Sequence, residues 1–311
     1  MPEKIPVLAV VGPTASGKTA LSIALAKALD GEIISADSMQ IYKSMDIASA
    51  KPTKEERAGI PHHMMGVISP ETPYSVADYV EDAGKAIADV WNRKKCPILV
   101  GGTGLYVDSL LSGTRFIPSP TDLELRKELQ AQYDALGGEA MLQKLKAFDP
   151  ESAARLHPNN NKRIIRAFEV YRLTGKTMTE ALENSHSEPS RYKPVYIGIN
   201  FADRAVLYDR INRRVDLMLE NGLLDEAKDF FEHTTATAAQ AIGYKELKPY
   251  FDGEVTLDEA EERLKQVTRN YAKRQLTWFK RNPEIHWLYP DTCTKEEFLR
   301  QALKIAETVK L

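Results

Sequence analysis

Apolar and polar positions along this chain follow two different rhythms. In the first third, short continuous apolar runs alternate with longer stretches in which apolar residues return every three or four positions. Val7-Leu8-Ala9-Val10-Val11 is one such run and predicts a short buried strand. Thr19 to Leu29 predicts a helix, Gly31 to Ser35 a second strand, and Val67-Ile68 part of a third. Val76 to Arg93 has apolar residues at helical spacing, and Pro97 to Val100 is a further strand. Such β-α-β alternation predicts a parallel sheet with helices on both faces. In such sheets the functional loops gather at the carboxyl ends of the strands.

From about Pro120 to Glu188 the rhythm is helical throughout. Asp122 to Leu136, Glu139 to Phe148 and Asn161 to Leu173 are amphipathic, with Pro118, Pro120, Gly137-Gly138, Pro150 and Pro158 as punctuation. Strand character resumes at Pro194 to Asn200 and at Ile285 to Tyr289. A helical block inside a resumed α/β pattern reads as an inserted all-helical subdomain. The expected division is a core of residues 1–118 and 190–311, and an insert of 119–189. With 311 residues the chain is long enough for two domains.

The turn between the first strand and helix carries Gly12-Pro13-Thr14-Ala15-Ser16-Gly17-Lys18-Thr19, which fits the phosphate-loop pattern G-x-x-x-x-G-K-[ST] at every fixed position. A strand, a glycine-rich turn and a helix N-terminus direct successive backbone N–H groups at an anion. Lys18 adds a point charge, and the Thr19 hydroxyl is a candidate Mg²⁺ ligand. The fold class expected is therefore α/β, a P-loop NTPase-like parallel sheet flanked by helices, and the ligand a diphosphate or triphosphate.

Charge and cysteine content add little. The net charge of −2 names no partner, and the two cysteines, Cys96 and Cys293, have no metal-like spacing. The N-terminus runs almost directly into the first strand, and no stretch is long and apolar enough to span a membrane. The expectation is a cytoplasmic protein.

Several other segments could carry chemistry. Asp37, in Ala36-Asp37-Ser38-Met39-Gln40, follows the second strand and would lie beside the phosphate loop. It could be a general base, a magnesium ligand, a ribose-binding acid or a loop cap. Gly101-Gly102-Thr103-Gly104 would let a backbone approach a ligand closely, or simply make a tight turn. The adjacent His62 and His63 read as a packing or polar contact rather than a metal site. Arg210 and Arg214, four apart on one helix face, could clamp a pyrophosphate or pair with Asp209, Asp216 or Glu220. Two basic runs stand out. One holds Lys162, Arg163, Arg166, Arg172 and Lys176. The other holds Arg263, Lys265, Arg269, Lys273, Arg274, Lys280 and Arg281, with Tyr271, Trp278 and Phe279 interleaved. Each is either a nucleic-acid footprint or a solvated helix face with inward aromatics. No N-K-x-D, H-R-D or D-F-G is present, which argues against a GTPase or a protein kinase.

Taken together, GPTASGKT (12–19), ISADSMQIYKSMDIASAKP (34–52), PHH (61–63), LVGGTGLYVDSLL (99–111), LHPNNNKRIIRAFEVYRLTGK (156–176), AIGYKEL (241–247) and RNYAKRQLTWFKR (269–281) resemble the tRNA dimethylallyltransferases, the isopentenyl transferases that modify adenosine beside the anticodon. The segments span nearly the whole chain. Ser44 and Ala48 stand where that pattern has glycine, and Phe168 where it has leucine. The resemblance implies a bacterial-type, monomeric enzyme without the zinc finger of eukaryotic members. It would transfer the dimethylallyl group of dimethylallyl diphosphate to N6 of the tRNA adenosine at position 37, with Mg²⁺ and release of diphosphate. It implies catalytic roles for Asp37, Lys18, Thr19 and Arg210, and diphosphate binding by residues 12–19 and Arg214. It places tRNA contacts at Asp37, Ser38, Met39, Gln40, Thr103, Arg126, Lys162, Arg163, Ile164, Ile165, Arg166, Gly243, Tyr244, Lys245, Lys273 and Arg274, with the insert gripping the anticodon stem-loop. The competing readings are prenylation of free adenine nucleotides, a P-loop small-molecule kinase, and a nucleotide-gated RNA-binding module.

Overall fold

A computed structural model of the chain describes residues 4–114, 116, 122–185, 189–233 and 241–309. Its described residues fall into two compact units, residues 1–111 with 191–311, and residues 112–190. The first segment of the core unit ends at Leu111. The expected boundary at 118 and the punctuating Pro118 and Pro120 lie outside the described residues.

The core unit is built on six parallel strands in the order β3-β2-β4-β1-β5-β6. These are β1 (Ile5–Val11), β2 (Gly31–Ser35), β3 (His62–His63), β4 (Cys96–Gly101), β5 (Tyr192–Ile199) and β6 (Ile285–Leu288). The continuous apolar runs are explained by burial on both faces. Along β1, Val7, Ala9 and Val11 join one core while Leu8 and Val10 join the other. Helices α1 (Lys18–Ala28) and α12 (Lys295–Ala306) cover the second face. The first is covered by α2 (Val76–Asn92), α3 (Gly104–Leu111), α9 (Leu223–His233), α10 (Tyr244–Phe251) and α11 (Leu257–Phe279). Helix α8 (Arg204–Glu220) packs on α11 through Leu207, Ile211 and Ala272. Reciprocal capping boxes start two helices, Ser75 with Asp78 at α2 and Thr256 with Glu259 at α11.

One expected strand is displaced. The third strand is His62–His63, paired with Ile33 and Ile34, and Ile68 makes only an isolated bridge to Tyr42. The reason is a buried carboxylate, Glu32. His63 Nε2 lies 2.7 Å from Glu32 Oε2, and Arg93 holds the same carboxylate with both terminal guanidinium nitrogens, Nη1 and Nη2. Polar residues form the edge strand because they satisfy a buried acid, a reason that apolar periodicity does not register.

The other unit contains α4 (Leu123–Lys146), α5 (Pro150–Arg155), α6 (Asn161–Thr174) and α7 (Met178–Ser185) around its own core of Leu129, Met141, Leu145, Ile164, Ile165, Ala167 and Phe168. The two helices expected over 122–148 are one element broken at Gly137, whose φ of 79° only glycine adopts easily. Phe168 meets Phe148 edge-on with centroids 5.3 Å apart, so the larger ring is absorbed in the core.

Candidate functional site

The carboxyl ends of β1, β2 and β4 present three consecutive loops to one cavity of about 250 Å³. Its polar wall includes Thr14, Lys18, Thr19, Asp37, Ser38, Gln40 and Arg214. Its apolar wall includes Met39, Ala48, Val100, Val215, Met218, Ile242 and Leu264. A second cavity of about 530 Å³ borders the phosphate loop, lined by Ala15 to Ala20, Glu56, Arg210, Arg213 and Arg214 among others. Lys18, Thr19 and Arg214 border both cavities.

The phosphate loop has the geometry its sequence predicts. Gly17 caps α1 at φ 95°, and α1 begins at Lys18 with no acidic residue in its first turn. Lys18 Nζ donates to the Pro13 carbonyl at 2.6 Å. Burial, together with the charge of Arg214, pushes the Lys18 ammonium down to about 7, with Asp37 pulling the other way. Desolvation also lowers Arg214, and Asp37 and Glu56 oppose it. Two cations are thus desolvated beside each other, an arrangement that an anion would relieve. The Ser16 hydroxyl oxygen is buried with no hydrogen-bond partner among the described residues, on the same loop. Arg210 donates from Nε to the Ala15 carbonyl at 2.8 Å and lies over the Phe201 ring, so it braces the loop from outside. Arg213 takes the partner that Arg210 or Arg214 could have had, Asp209 at 2.9 Å.

Asp37 sits in the loop after β2. Its Oδ1 accepts the N–H groups of Met39 at 2.9 Å and Gln40 at 3.3 Å, which fixes the carboxylate at the cavity wall. Both the cap and a chemical role are therefore open to the one residue. Ser38 N–H donates to the Thr103 hydroxyl at 3.0 Å, joining the Asp37 loop to the turn after β4. Gln40 Oε1 accepts from Ser35, and its Nε2 donates to the carbonyls of Ser49 and Ala50. It braces the loop while lining the cavity.

Glycines at 101, 102 and 104 serve close approach to the protein itself. A Cβ on Gly101 would come within 2.1 Å of the Ala36 carbonyl oxygen, on Gly102 within 2.1 Å of Gln275 Nε2, and on Gly104 within 2.2 Å of the Trp278 ring. The strand, the Asp37 loop and α11 are pressed together here, and no side chain fits between them.

Several residues singled out from the sequence have other duties. Tyr244 is fully buried, its hydroxyl donating to Glu226, so its side chain presents no surface to a tRNA. Ile164 and Ile165 lie in the helical unit's core and contribute packing there. Arg126 and Arg166 both bind the buried Glu169 carboxylate, at 2.8 and 2.7 Å. Lys162 and Arg163 are exposed with no ion pair among the described residues. In the second basic run, Lys265 pairs with Asp216 and Glu261, and Arg269 with Glu262. Phe279 is buried, and Trp278 donates from its indole nitrogen to Asp108. The inward-aromatic reading therefore holds for these two residues. Lys273 and Arg274 are exposed, as is Lys245, and Gly243 lines the cavity. His62 and His63 make polar contacts, with Ile60 and Glu32.

Motif reading noted Tyr271 only as an aromatic within a basic run and missed the cavity face of α11 to which it belongs. Leu264, Thr268, Tyr271 and Gln275 all line the cavity, spaced by four, three and four residues. That spacing is one helix face. Glu226 was missed as well. Its carboxylate accepts the N–H groups of Asp46, Ile47 and Ala48 at 2.8–2.9 Å and the Tyr244 hydroxyl, clamping the cavity-lining loop.

Two family models match: one described as IPP transferase over residues 40–282, the other as isopentenyl transferase over residues 5–64. The chain is 45% identical over 302 residues to a tRNA dimethylallyltransferase of Thermoanaerobacter sp. (strain X514), covering 96% of each protein. It is 49% identical over 286 residues to that of Bacillus subtilis (strain 168), covering 91% of this chain and 90% of the relative. Among solved structures, the full-length tRNA isopentenylpyrophosphate transferase of Bacillus halodurans matches with a TM-score of 0.73 and 44% identity, covering 98% of this chain and 97% of that one. A eukaryotic dimethylallyltransferase acting on tRNA matches with a TM-score of 0.82 and 29% identity, covering 97% of this chain and 79% of that one. With a family match across most of the chain and such relatives over nearly all of it, the protein belongs to the IPP transferase family, the family of the tRNA dimethylallyltransferases.

Proposed function

We propose that this protein transfers the dimethylallyl group of dimethylallyl diphosphate to N6 of the adenosine 3′ of the anticodon in tRNA. The observation that carries the reading is the polarity of the inner cavity. Desolvated Lys18 and Arg214 lie on its wall, Asp37 lies on the same wall, and apolar side chains line the rest. A diphosphate suits the cations, a branched five-carbon chain suits the apolar wall, and a weakly basic amine suits the carboxylate.

The adenine lone pair attacks C1 of the donor, the C1–O bond breaks, and diphosphate leaves with the bonding electrons. The N6 proton passes to Asp37. Exocyclic amines of adenine are poor nucleophiles, so proton removal in the transition state matters. Lys18, Arg214 and the α1 N-terminus offset the charge growing on the leaving group. Arg210 acts from the second cavity, holding the loop through the Ala15 carbonyl. Mg²⁺ fits this donor set in a specific way. Among the described residues no cluster of three metal-ligating side chains exists, whereas Thr19 offers a hydroxyl at the loop. Mg²⁺ is commonly held by one or two protein oxygens plus substrate phosphates, so Thr19 and the diphosphate oxygens would hold it. When bound it would neutralise diphosphate charge.

The adenosine must leave its stack to reach Asp37, so base flipping belongs to this reading. Exposed Lys162 and Arg163 on α6, and Lys273 and Arg274 on α11, are the cations we assign to tRNA phosphates, with the helical unit gripping the anticodon stem-loop. A monomer acting in the cytoplasm completes the proposal. Among the described residues no helix is long and apolar enough to cross a membrane.

The test uses radiolabelled dimethylallyl diphosphate with undermodified tRNA, AMP or ATP as acceptor. Label is expected in tRNA, at the adenosine 3′ of the anticodon. Label only in AMP or ATP would replace tRNA by a free nucleotide. ADP formed with each turnover would point to a kinase, and tRNA binding without transfer to a non-catalytic module.

A further inference from the structure

One buried amide joins two loops that face the cavity. Gln275, 5% exposed on the cavity face of α11, accepts the Thr14 N–H on Oε1 at 2.9 Å. Its Nε2 donates to the Gly102 carbonyl at 3.0 Å. Thr14 belongs to the phosphate loop. Gly102 precedes Thr103, whose hydroxyl accepts the Ser38 N–H next to Asp37. A single side chain thus spans from the loop assigned to the leaving diphosphate to the turn that braces Asp37. An amide suits this bridge because it offers an acceptor and a donor at one end of a short stem. An ionised carboxylate lacks the donor, and an apolar side chain lacks both. The space is full as well, since a Cβ on Gly102 would lie 2.1 Å from Nε2 and 3.4 Å from the Gly12 carbonyl oxygen.

We propose that Gln275 is a positioning residue for prenyl transfer, setting the distance between the phosphate loop and the Asp37–Thr103 wall. It thereby sets the distance between the carbon that leaves the diphosphate and the amine that attacks it. The proposal rests on the assignment of the diphosphate to the phosphate loop and of the amine to Asp37. Gln275 touches no reacting atom. Each substrate keeps its own contacts when the bridge is lost, so the effect belongs in kcat. A misplacement of about 1 Å costs on the order of 10²-fold in rate.

Steady-state kinetics of three variants test it. Gln275→Met keeps the length and removes both bonds. Its kcat is expected to fall about 10- to 100-fold, with KM for dimethylallyl diphosphate and for tRNA each within roughly threefold of wild type. Gln275→Glu adds a pH readout. The introduced carboxyl, when ionised, accepts from Thr14 but repels the Gly102 carbonyl. When protonated it both accepts and donates. Burial favours the protonated form, so kcat relative to wild type is expected to climb toward unity as pH falls from about 9 to about 6. The corresponding ratio for Gln275→Met stays flat. Lys18, Asp37 and Arg214 line the same cavity, as does Tyr271, whose hydroxyl lies within hydrogen-bonding reach of Gln275 and Thr103 and whose ring lies under Arg274. These groups are present in every variant, and the flat Gln275→Met ratio separates their own titrations from that of the introduced carboxyl. Gly102→Ala leaves Gln275 in place but displaces its amide, and is expected to reproduce the Gln275→Met result. It carries the test if Gln275→Glu does not fold.

A kcat within twofold of wild type in Gln275→Met overturns the proposal. So does a loss expressed in KM alone, or a Gln275→Glu ratio that does not rise at low pH. Absence of prenyl transfer by the wild-type protein would instead overturn the functional reading beneath it.

Discussion

At the scale of single residues, Asp37 and Lys18 divide the work by environment. Asp37 uses Oδ1 to hold the backbone of its own loop, and an asparagine there keeps that acceptor. Asp37→Asn is therefore expected to preserve the loop and tRNA affinity while kcat falls about 10²- to 10⁴-fold, the usual range for a lost general base. A variant within threefold of wild type in single-turnover assays would remove Asp37 from that role. For Lys18 the sign of the pH effect follows from its lowered pKa. Near neutral pH the free protein carries this lysine only partly charged, at about 7. A bound diphosphate favours the charged form, so binding takes up a proton. Affinity for dimethylallyl diphosphate is expected to be highest below pH 7 and to weaken, by up to about tenfold per pH unit, as pH rises above it. Isothermal titration in two buffers of different ionisation enthalpy measures that proton uptake directly. Lys18→Met is expected to abolish it.

At the scale of elements, the loop after β2 is held by charge rather than by apolar burial alone. Glu226 on α9 accepts three consecutive backbone N–H groups, and the Tyr244 hydroxyl completes the clamp. In Glu226→Gln one carboxylate oxygen becomes a donor that faces N–H groups, so the amides of Asp46, Ile47 and Ala48 are expected to exchange hydrogen faster. Unchanged exchange there would show that the loop is held by packing. Helix α6 separates two kinds of cation. Arg166, with Arg126, is tied to buried Glu169, whereas Lys162 and Arg163 face solvent. Replacing Lys162 and Arg163 by alanine is expected to weaken tRNA binding and to reduce its salt slope by up to about 2, while kcat at saturating tRNA stays near wild type. An unchanged slope would mean that these two cations meet no phosphate. These distinctions were not legible in the sequence. Lysines and arginines look alike in a run, and which of them is already paired depends on acids as far away as Glu169 is from Arg126.

At the scale of the whole molecule, one cluster that ties the sheet edge to a helix end contributes to acid sensitivity. The Glu32 carboxylate is buried, and hydrogen bonds from Arg93, aided by His63, hold it down at about 2 against desolvation. A folded-state value below the unfolded one stabilises the fold above the unfolded pKa, and the gain disappears as pH falls through the folded one. The stability difference between wild type and Glu32→Gln is expected to be constant above about pH 4.5 and to shrink as pH drops toward 2. Chemical denaturation at a series of pH values measures it, and a difference that does not change with pH would remove Glu32 as the source.

The sequence by itself determined the parallel α/β core, the phosphate loop, the position of Asp37 and the helical character of the insert. Each is written in local order, as an apolar period, a glycine at a fixed offset or a residue at a strand end, and the backbone reads such signals within a few residues. Tertiary structure decided the rest. It made His62–His63 rather than Val67–Ile68 the edge strand, turned Trp278 and Phe279 inward, buried Tyr244, and brought Gln275 to Thr14 across 261 positions of sequence. These outcomes depend on which polar group finds its partner once the chain is compact, and a buried donor or acceptor costs too much to be left alone. Such partners are chosen in space, so spacing along the chain does not announce them.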